Sequence, residues 1–294
     1  MLNRTLHTLS ALLVMALLLV GCDSSGTSSE PLDVTAEETA ESIALATATE
    51  TGGTLDDAED AATVSSVLTN AMMGPSASMR AQTSDLAQNH CGFNNDEVLW
   101  SCSFSVERSS ERAEVAFSRD YEIQFLDANG DPMPFFEMGG ETAASITLDV
   151  LSGWGSVQTR RVVNSYTINT SSWTLSDLTE TSATLSGTAS RSMADTLTTQ
   201  NAEHTRIADV EMEMQDLVWV QEEGPENGTI SGTYSAEVTI TRDGETATRT
   251  VNASYTITFA DGEGEITFTA EGSRFNGESF RFDVDTGELI GTAS

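Results

Sequence analysis

Hydrophobic and polar residues alternate along most of the chain beyond its first third, and the clearest stretch lies near the C-terminus. Every second residue from Ile230 to Ile240 is apolar or glycine, and Ser, Thr or Glu stands between them. A period of two predicts strands with one buried and one solvated face. The alternation stops at Asp243-Gly244, Asp261-Gly262 and Asn276-Gly277, which are dipeptides that favour tight hairpin turns. We therefore predict a mainly β fold over residues 91–294, an antiparallel meander that forms a sandwich or a twisted partial barrel.

A helical period precedes these strands. From Val64 to Met72 the apolar residues follow the i, i+3, i+4, i+7, i+8 spacing of one helix face. Asp56 with Glu59 fits a capping box at the start of this helix, and Gly74-Pro75 ends the pattern. We predict a short N-terminal helix and a loop over residues 54–90, with the helix docked on the sheet domain or standing as part of a stalk.

The first residues of the chain have the pattern of an export signal. Arg4 precedes an apolar run from Leu9 to Val20, which is too short for a permanent membrane span but suits a signal-peptide core. The run ends in Leu19-Val20-Gly21-Cys22, which resembles the lipobox of bacterial lipoproteins. That resemblance implies that residues 1–21 are removed and that Cys22 carries the lipid that anchors the protein to a membrane. The alternative is an ordinary secretory peptide with a chance cysteine.

The segment after Cys22 is small and polar. From Asp23 to Pro31 it holds no hydrophobic residue, which is typical of a flexible linker. We assign residues 22–53 to a lipidated flexible tether. The expected location is the cell envelope outside the cytoplasm, at the outer membrane or cell surface rather than the inner membrane, although Asp23 alone does not select the membrane.

The charge of the chain limits the kinds of partner that it can bind. The chain has 46 Asp and Glu residues against 13 basic residues, all of them Arg, and a formal net charge of −33. Repulsion on this scale destabilises a compact protein unless salt screens it, so the composition predicts a halophilic protein. A generically acidic secreted protein is the alternative. The charge argues against a nucleic acid partner.

The remaining cysteines form an even pair. Outside the cytoplasm, where disulfides persist, Cys91 and Cys102 are expected to bond to each other and close a short loop. Such a bridge stabilises the fold by about 3 kcal/mol in the chain-entropy account. A metal or catalytic role has weaker support, because His90 is the one histidine beside them.

A weak internal repeat relates residues of about 146–191 to those of about 236–274. Residues 159–168 align without gaps on residues 248–257, and the alignment matches Arg160 with Arg249. These arginines are candidates for ligand contact, and the competing interpretation, which we favour, is an arginine paired with an acid at the rim of the sheet.

Trp154 is a further candidate for ligand contact. It lies in Ser152-Gly153-Trp154-Gly155, which predicts a turn, and an exposed indole there could stack on a sugar ring. A tryptophan at a hairpin tip could instead fold back onto the sheet.

The segment Asp127-Ala128-Asn129-Gly130-Asp131 begins like a calcium loop, with oxygen-bearing side chains at alternate positions. The pattern then fails, because Pro132 stands where the EF-hand glycine belongs and Met138 where the bidentate glutamate belongs. We favour a hairpin turn here and predict neither a metal nor a cofactor.

Taken together, the lipobox, the polar tether, the Ala-rich helix, the cysteine that follows it and the Thr/Ser-rich meander resemble a loose class of acidic, halophile-type bacterial surface lipoproteins. The resemblance covers most of the chain after Cys22. It implies a location and an architecture, and it carries over no catalytic residue.

The function expected from the sequence is a non-enzymatic surface module that binds a partner, either a protein or a glycan, or forms part of the cell coat. After Cys22 the chain has only His90 and His204 as histidines, and no Gly-x-Ser-x-Gly motif occurs, so catalytic residues are not predicted. The alternative is a periplasm-facing carrier of a lipid or other apolar ligand, and the third possibility is a hydrolase.

Overall fold

The computed structural model describes residues 32–59, 90–109, 113–138, 140–179, 181–199, 202–220, 223–260, 262–269 and 273–293. The predicted signal peptide, Cys22 and the apolar stretch from Val64 to Met72 lie outside these residues. Among the residues described, no helix has the length and hydrophobicity to cross a membrane.

Strands make up most of the described chain. Their bounds are β1 (His90–Asn94), β2 (Leu99–Ser109), β3 (Ala113–Leu126), β4 (Pro132–Met133), β5 (Glu137–Met138), β6 (Glu141–Thr142), β7 (Ser145–Thr159), β8 (Val162–Ser176), β9 (Ser182–Thr198), β10 (Glu203–Val220), β11 (Gly224–Arg242), β12 (Glu245–Ala260), β13 (Glu263–Phe268), β14 (Ser279–Asp283) and β15 (Leu289–Thr292).

One antiparallel sheet holds these strands in the order β1-β2-β3-β7-β8-β9-β10-β11-β12-β13-β14-β15, with β4 paired beside β3. From β7 onward each strand pairs with the next one along the chain, so the predicted antiparallel meander is confirmed. The sheet does not close, and its strands form one continuous layer instead of the two layers of a sandwich. A separate two-stranded ribbon joins β5 to β6.

The predicted Asp-Gly turn between β11 and β12 is present. Arg242 pairs with Glu245, and the two residues between them have positive φ, 54° at Asp243 and 85° at Gly244. Two left-handed residues in succession give a turn whose twist matches that of the flanking strands. This geometry explains why alternation resumes in register on both sides of the turn.

Residues assigned to the tether form a helix instead. The helix α1 (Ala36–Thr47) starts with a capping box, in which the side chains of Thr35 and Glu38 each accept from the backbone N–H of the other residue. It has no clear amphipathic pattern because most of its residues are buried, as in a helix surrounded by protein. The tether prediction is therefore wrong over residues 36–47.

A second helical segment covers residues 54–59. Asp56 lies inside its first turn, where its backbone N–H and that of Asp57 donate to Gly53 O. The predicted role of Asp56 as the N-terminal cap is wrong, because its carboxylate is turned toward an arginine of the sheet.

The sheet curls around α1 and the segment that follows it. Ile43 of α1 is fully buried in one hydrophobic cluster with Tyr121 of β3 and Phe282 of β14, which lie in distant strands of the sheet. The backbone N–H of Thr49 also donates to Val284 O at 3.0 Å. We call the face of the sheet that surrounds α1 the inner face, and the opposite, largely polar face the outer face.

Glycines on the inner face make room for aromatic rings from neighbouring strands. Gly155 pairs with Tyr166 and Gly232 with Tyr255, and a Cβ on either glycine would lie within 2.6 Å of the facing ring. Tyr166 and Tyr255 are equivalent in the sequence repeat, so this packing is what the repeat preserves. Gly155 and Gly244 precede the aligned segments by the same four residues, but they are not equivalent, because Gly155 lies within β7 and Gly244 lies in a turn.

Candidate functional site

Two arginines of the inner face hold the N-terminal segment through one carboxylate, Asp57. Arg119 Nε lies 2.9 Å from Asp57 Oδ1, and Arg191 Nη2 lies 2.6 Å from Asp57 Oδ2. Both guanidinium groups also donate to Gly52 O, and Arg119 Nη1 lies 2.7 Å from Asp56 Oδ2. We call these residues the Asp57 cluster.

Opposite charges face each other in the Asp57 cluster. Arg119 and Arg191 are each 1% exposed, and Asp57 is fully buried. Burial alone would lower the pKa of Arg119, but the nearby carboxylates of Asp57 and Asp56 raise that pKa well above its ordinary value. Buried ions tolerate such an environment only when they are paired and hydrogen-bonded.

A second buried pair fastens the start of α1. Arg206 Nε donates to Asp195 Oδ1 at 2.5 Å, and Arg206 Nη1 donates to Glu38 O at 2.6 Å. Ser42 of α1 donates to Asp195 Oδ2 at 3.1 Å. The carbonyl and the hydroxyl from α1 thus add hydrogen bonds to an ion pair that spans β9 and β10.

His204 lies beside this pair and is 3% exposed. Burial lowers its pKa, and the carboxylate of Glu38, with an oxygen 3.4 Å from His204 Nδ1, opposes that shift in part. Because these buried charged groups all contact α1 or the segment after it, their evident role is to fix the N-terminal segment inside the curled sheet.

The outer face carries a different chemistry, a lattice of hydroxyl and carboxylate groups. Asn169 Nδ2 donates to Ser192 Oγ at 2.9 Å, and that hydroxyl donates to Asp209 Oδ1 at 2.7 Å. Asp120 accepts from Ser103 and Ser152 at 2.7 Å each, and these two hydrogen bonds lower its pKa. Bonds between adjacent strands hold these side chains in fixed positions while leaving them open to solvent.

An open groove of about 550 Å³ crosses the outer face over β8–β12. Its floor is the backbone of four residues that pair with one another across neighbouring strands, namely Ala189, Met212, Gly232 and Tyr255. The side chains of this row belong to the inner face. The outward-pointing rows on either side form its two walls. One wall consists of Thr170, Ser190, Glu211, Thr233 and Ser254, and the other of Thr188, Glu213, Ser231 and Thr256. We call this feature the outer groove.

Trp154 lies on the outer face of β7 and is 53% exposed. The predicted turn around it is wrong, because Gly153 and Gly155 are strand residues that leave space for Ile168 and Tyr166 across the sheet. The indole is therefore presented by a strand in the middle of the sheet.

The two arginines matched by the sequence repeat do not come to equivalent places. Arg160 is exposed in the turn between β7 and β8, whereas Arg249 is exposed on β12. Arg249 Nε lies 3.9 Å from Asp33 Oδ1, and Arg274 Nη1 lies 2.6 Å from Asp33 Oδ2. The hydrogen bond from Arg274 lowers the pKa of Asp33. The rim ion pair favoured from the sequence thus applies to Arg249.

Cys91 of β1 stands directly opposite Cys102 of β2, and their Sγ atoms are 2.09 Å apart. This placement agrees with the predicted disulfide.

The segment that begins like a calcium loop is a turn closed by its own carboxylate. Asp127 Oδ1 accepts from the backbone N–H of Asn129 at 2.7 Å and of Asp131 at 2.9 Å. These bonds lower the pKa of Asp127. Within the described residues no group of three or more His, Cys, Asp or Glu side chains is placed to hold a metal ion.

Three buried arginines escaped the sequence prediction although a signal for them exists. Arg119, Arg191 and Arg206 each occupy an inward position of the alternation, between buried neighbours two residues away, such as Phe117 and Tyr121 around Arg119. The outer groove has no comparable signal, because it depends on the lateral register of five strands.

Comparison with protein-family models, with curated proteins and with solved structures finds no match for this chain.

Proposed function

We propose that the protein is a lipid-anchored, non-enzymatic binding module of the cell envelope that meets its partner through the outer face of the sheet. The observation that carries the proposal is the contrast between a filled inner face and a grooved outer face. Ala40, Ile43, Ala44 and Leu55 are all fully buried against the inner face, so the N-terminal segment takes up the space that a ligand would need there.

The occupied inner face also weakens the alternative function, a carrier of a lipid or other apolar ligand. A carrier of an apolar ligand requires an unfilled apolar cavity, and ligand cavities of that kind are concave and mostly apolar. The outer groove is instead walled by hydroxyl and carboxylate groups. Polar walls suit a hydrogen-bonding partner and favour the binding module.

The position of α1 changes the proposed geometry of anchoring. If Cys22 carries the lipid, ten residues, 22–31, separate the anchor from the first residue of the described domain. A fully extended chain of that length reaches at most about 36 Å. We infer a domain held close to its membrane, within reach of components of the same envelope.

The test combines protease treatment of intact cells with a variant that lacks the anchor. We expect protease to degrade the β domain of the native protein on intact cells, as judged by immunoblotting against that domain. The Cys22→Ser variant should lose its membrane attachment and leave the membrane fraction. Survival of the native domain on intact cells, with digestion only after lysis, would contradict surface exposure. Retention of the variant in the membrane fraction would contradict the lipid anchor.

A further inference from the structure

The walls of the outer groove select the chemistry of its partner. Serine and threonine hydroxyls both donate and accept hydrogen bonds, whereas the carboxylates of Glu211 and Glu213 only accept. Among the described residues that line the groove, none is basic. A partner must therefore supply many hydrogen-bond donors and carry no negative charge, because the groove offers no cation to compensate one.

The floor of the outer groove rules out recognition of a peptide backbone by strand addition. The strands β8 to β12 lie between paired neighbours, and the residues of the floor row are paired with one another across the sheet. Strand addition requires an edge with unpaired backbone groups. A partner in the groove is therefore recognised by side chains alone.

An exposed apolar platform lies beside the β7 end of the outer groove. Bulges interrupt the pairing of β7 with β8. On β7 the bulge lies between Val150 and Gly153, and on β8 it lies between Ile168 and Thr170. The bulge turns Leu151 outward, so that Leu151 is 58% and Trp154 is 53% exposed. Bulges commonly re-aim side chains in this way.

The platform and the groove belong to one strip across the sheet. Thr170 pairs with Ser190 of the groove wall and lies in the β8 bulge. That bulge faces the β7 bulge, which is next to Trp154. From β7 to β12 the strip crosses five strand spacings, or about 24 Å. A partner that covers the whole strip is elongated.

We propose that this strip binds a neutral oligosaccharide laid across the strands, and this assignment rests on the proposed use of the outer face for binding. The indole of Trp154 stacks on the apolar face of one sugar ring, as the flat π-surface of an aromatic side chain allows. Glu211 and Glu213, on opposite walls, accept hydrogen bonds from sugar hydroxyls, while serine and threonine hydroxyls donate to ring and glycosidic oxygens. Neutral sugars supply the donors that the walls demand and no negative charge that they would repel.

The experiment uses the full chain in detergent at high salt, with calorimetric titration of neutral hexasaccharides. The panel comprises β-1,4-glucan, β-1,3-glucan, α-1,4-glucan, β-1,4-xylan and chitin hexasaccharides, with an oligogalacturonate as the anionic comparison. At least one neutral hexasaccharide should bind with a change in tryptophan fluorescence, and the oligogalacturonate should not bind.

Variants locate the site. Trp154→Ala and Glu211→Gln should each weaken the binding of that hexasaccharide by about tenfold, since each removes one stacking or charged hydrogen-bond contact. The matched controls are Ile207→Ala, which removes an outer-face side chain that is 66% exposed, and Glu237→Gln, an exposed carboxylate on β11 outside the groove. Both controls should bind within about twofold of the native protein.

Two results would overturn the assignment. One is the absence of binding to every neutral member of the panel, and the other is binding that the Trp154→Ala and Glu211→Gln variants leave unchanged. If protease treatment still shows the anchored domain at the cell surface, either result rejects the oligosaccharide as the ligand and leaves the proposed binding module standing. Failure of the binding module is recognised separately, by a domain that protease cannot reach on intact cells.

Discussion

The two faces of the sheet place charged side chains in contrasting surroundings. On the inner face, Arg119 and Arg191 are almost fully buried, and Asp57 and the carbonyl of Gly52 meet them at hydrogen-bonding distance. On the outer face, Asp209 is exposed and accepts a hydrogen bond from a serine hydroxyl. The inner charges fix one docking position for the N-terminal segment, since any shift would leave an ion unpaired in the core. The outer charges remain hydrated and accessible.

The largest effect is expected from removing the carboxylate shared by two buried arginines. Asp57→Ala removes the carboxylate that pairs with Arg191 and one of the two that pair with Arg119, and it should lower the free energy of unfolding by about 3–5 kcal/mol. The matched control is Asp209→Ala, whose exposed carboxylate contacts Ser192, and its effect should stay within about 0.5 kcal/mol. Chemical denaturation at constant high salt measures both. Equal effects of the two variants would remove the distinction between the faces.

A second comparison uses one residue type on both faces. Ile43 of α1 is fully buried, and Ile43→Ala should cost about 2–5 kcal/mol of unfolding free energy because it leaves a cavity in the core. Ile207 on the outer face of β10 is 66% exposed, and Ile207→Ala should change stability by no more than about 0.5 kcal/mol. A small loss for Ile43→Ala would show that α1 is not packed inside the sheet.

The third comparison tests the tight approach of rings to glycines on the inner face. In Gly155→Ala the new Cβ would lie 2.3 Å from Tyr166 Cζ, so overpacking should cost about 1–3 kcal/mol. Gly291→Ala on β15 is the control, because a Cβ there meets nothing within 4 Å. Thermal unfolding of both variants measures the difference. A native-like melting temperature for Gly155→Ala would contradict the packing of Tyr166 over this glycine.

The smallest expected effect concerns pH. Burial holds the pKa of His204 below its ordinary value of 6.5, so the unfolded chain binds a proton that the folded protein resists. The stabilising contribution of neutral His204 is present above pH 6.5 and is lost as the pH falls through that value toward the lower pKa of the folded state.

The measurement is the difference in unfolding free energy between the native protein and His204→Gln, from about pH 7.5 to about pH 5. Comparing the two proteins at each pH cancels most of the titration of the many carboxylates. The native protein should lose stability more steeply than the variant as the pH falls. Parallel curves would show that His204 is equally easy to protonate in the folded and unfolded chains.

The sequence revealed the outer face better than the inner one. Alternation and the Asp243-Gly244 turn predict the strands and their connections, because both are local signals. The helix α1 lacks the one-sided apolar pattern of a surface helix, since strands surround it, and the tether predicted from the polar residues 23–31 was extended over it. The Ala and Glu residues of α1 are good helix formers, so the intrinsic propensity of this segment agrees with the helix that forms.

The candidate site could be predicted only in part. Trp154 was identified as a possible sugar-stacking residue, but its flanking glycines suggested a turn because their partners Ile168 and Tyr166 lie on another strand. Glu211 and Glu213 have no local feature that separates them from the other acids of the chain. Their positions on opposite walls of the outer groove follow from the register of β9, β10 and β11, which a pattern within one strand does not contain.

The most direct test of the account is hydrogen exchange of the α1 backbone in the purified full-length protein, followed by mass spectrometry of peptides. If α1 fills the curled sheet, its amides will exchange about as slowly as those in the centre of β10, because both open only when the core opens. The turn at Asp243-Gly244 provides the fast reference. Exchange of residues 36–47 as rapid as that turn would show that they form a tether, and it would contradict the docking of α1 and the contrast between the two faces.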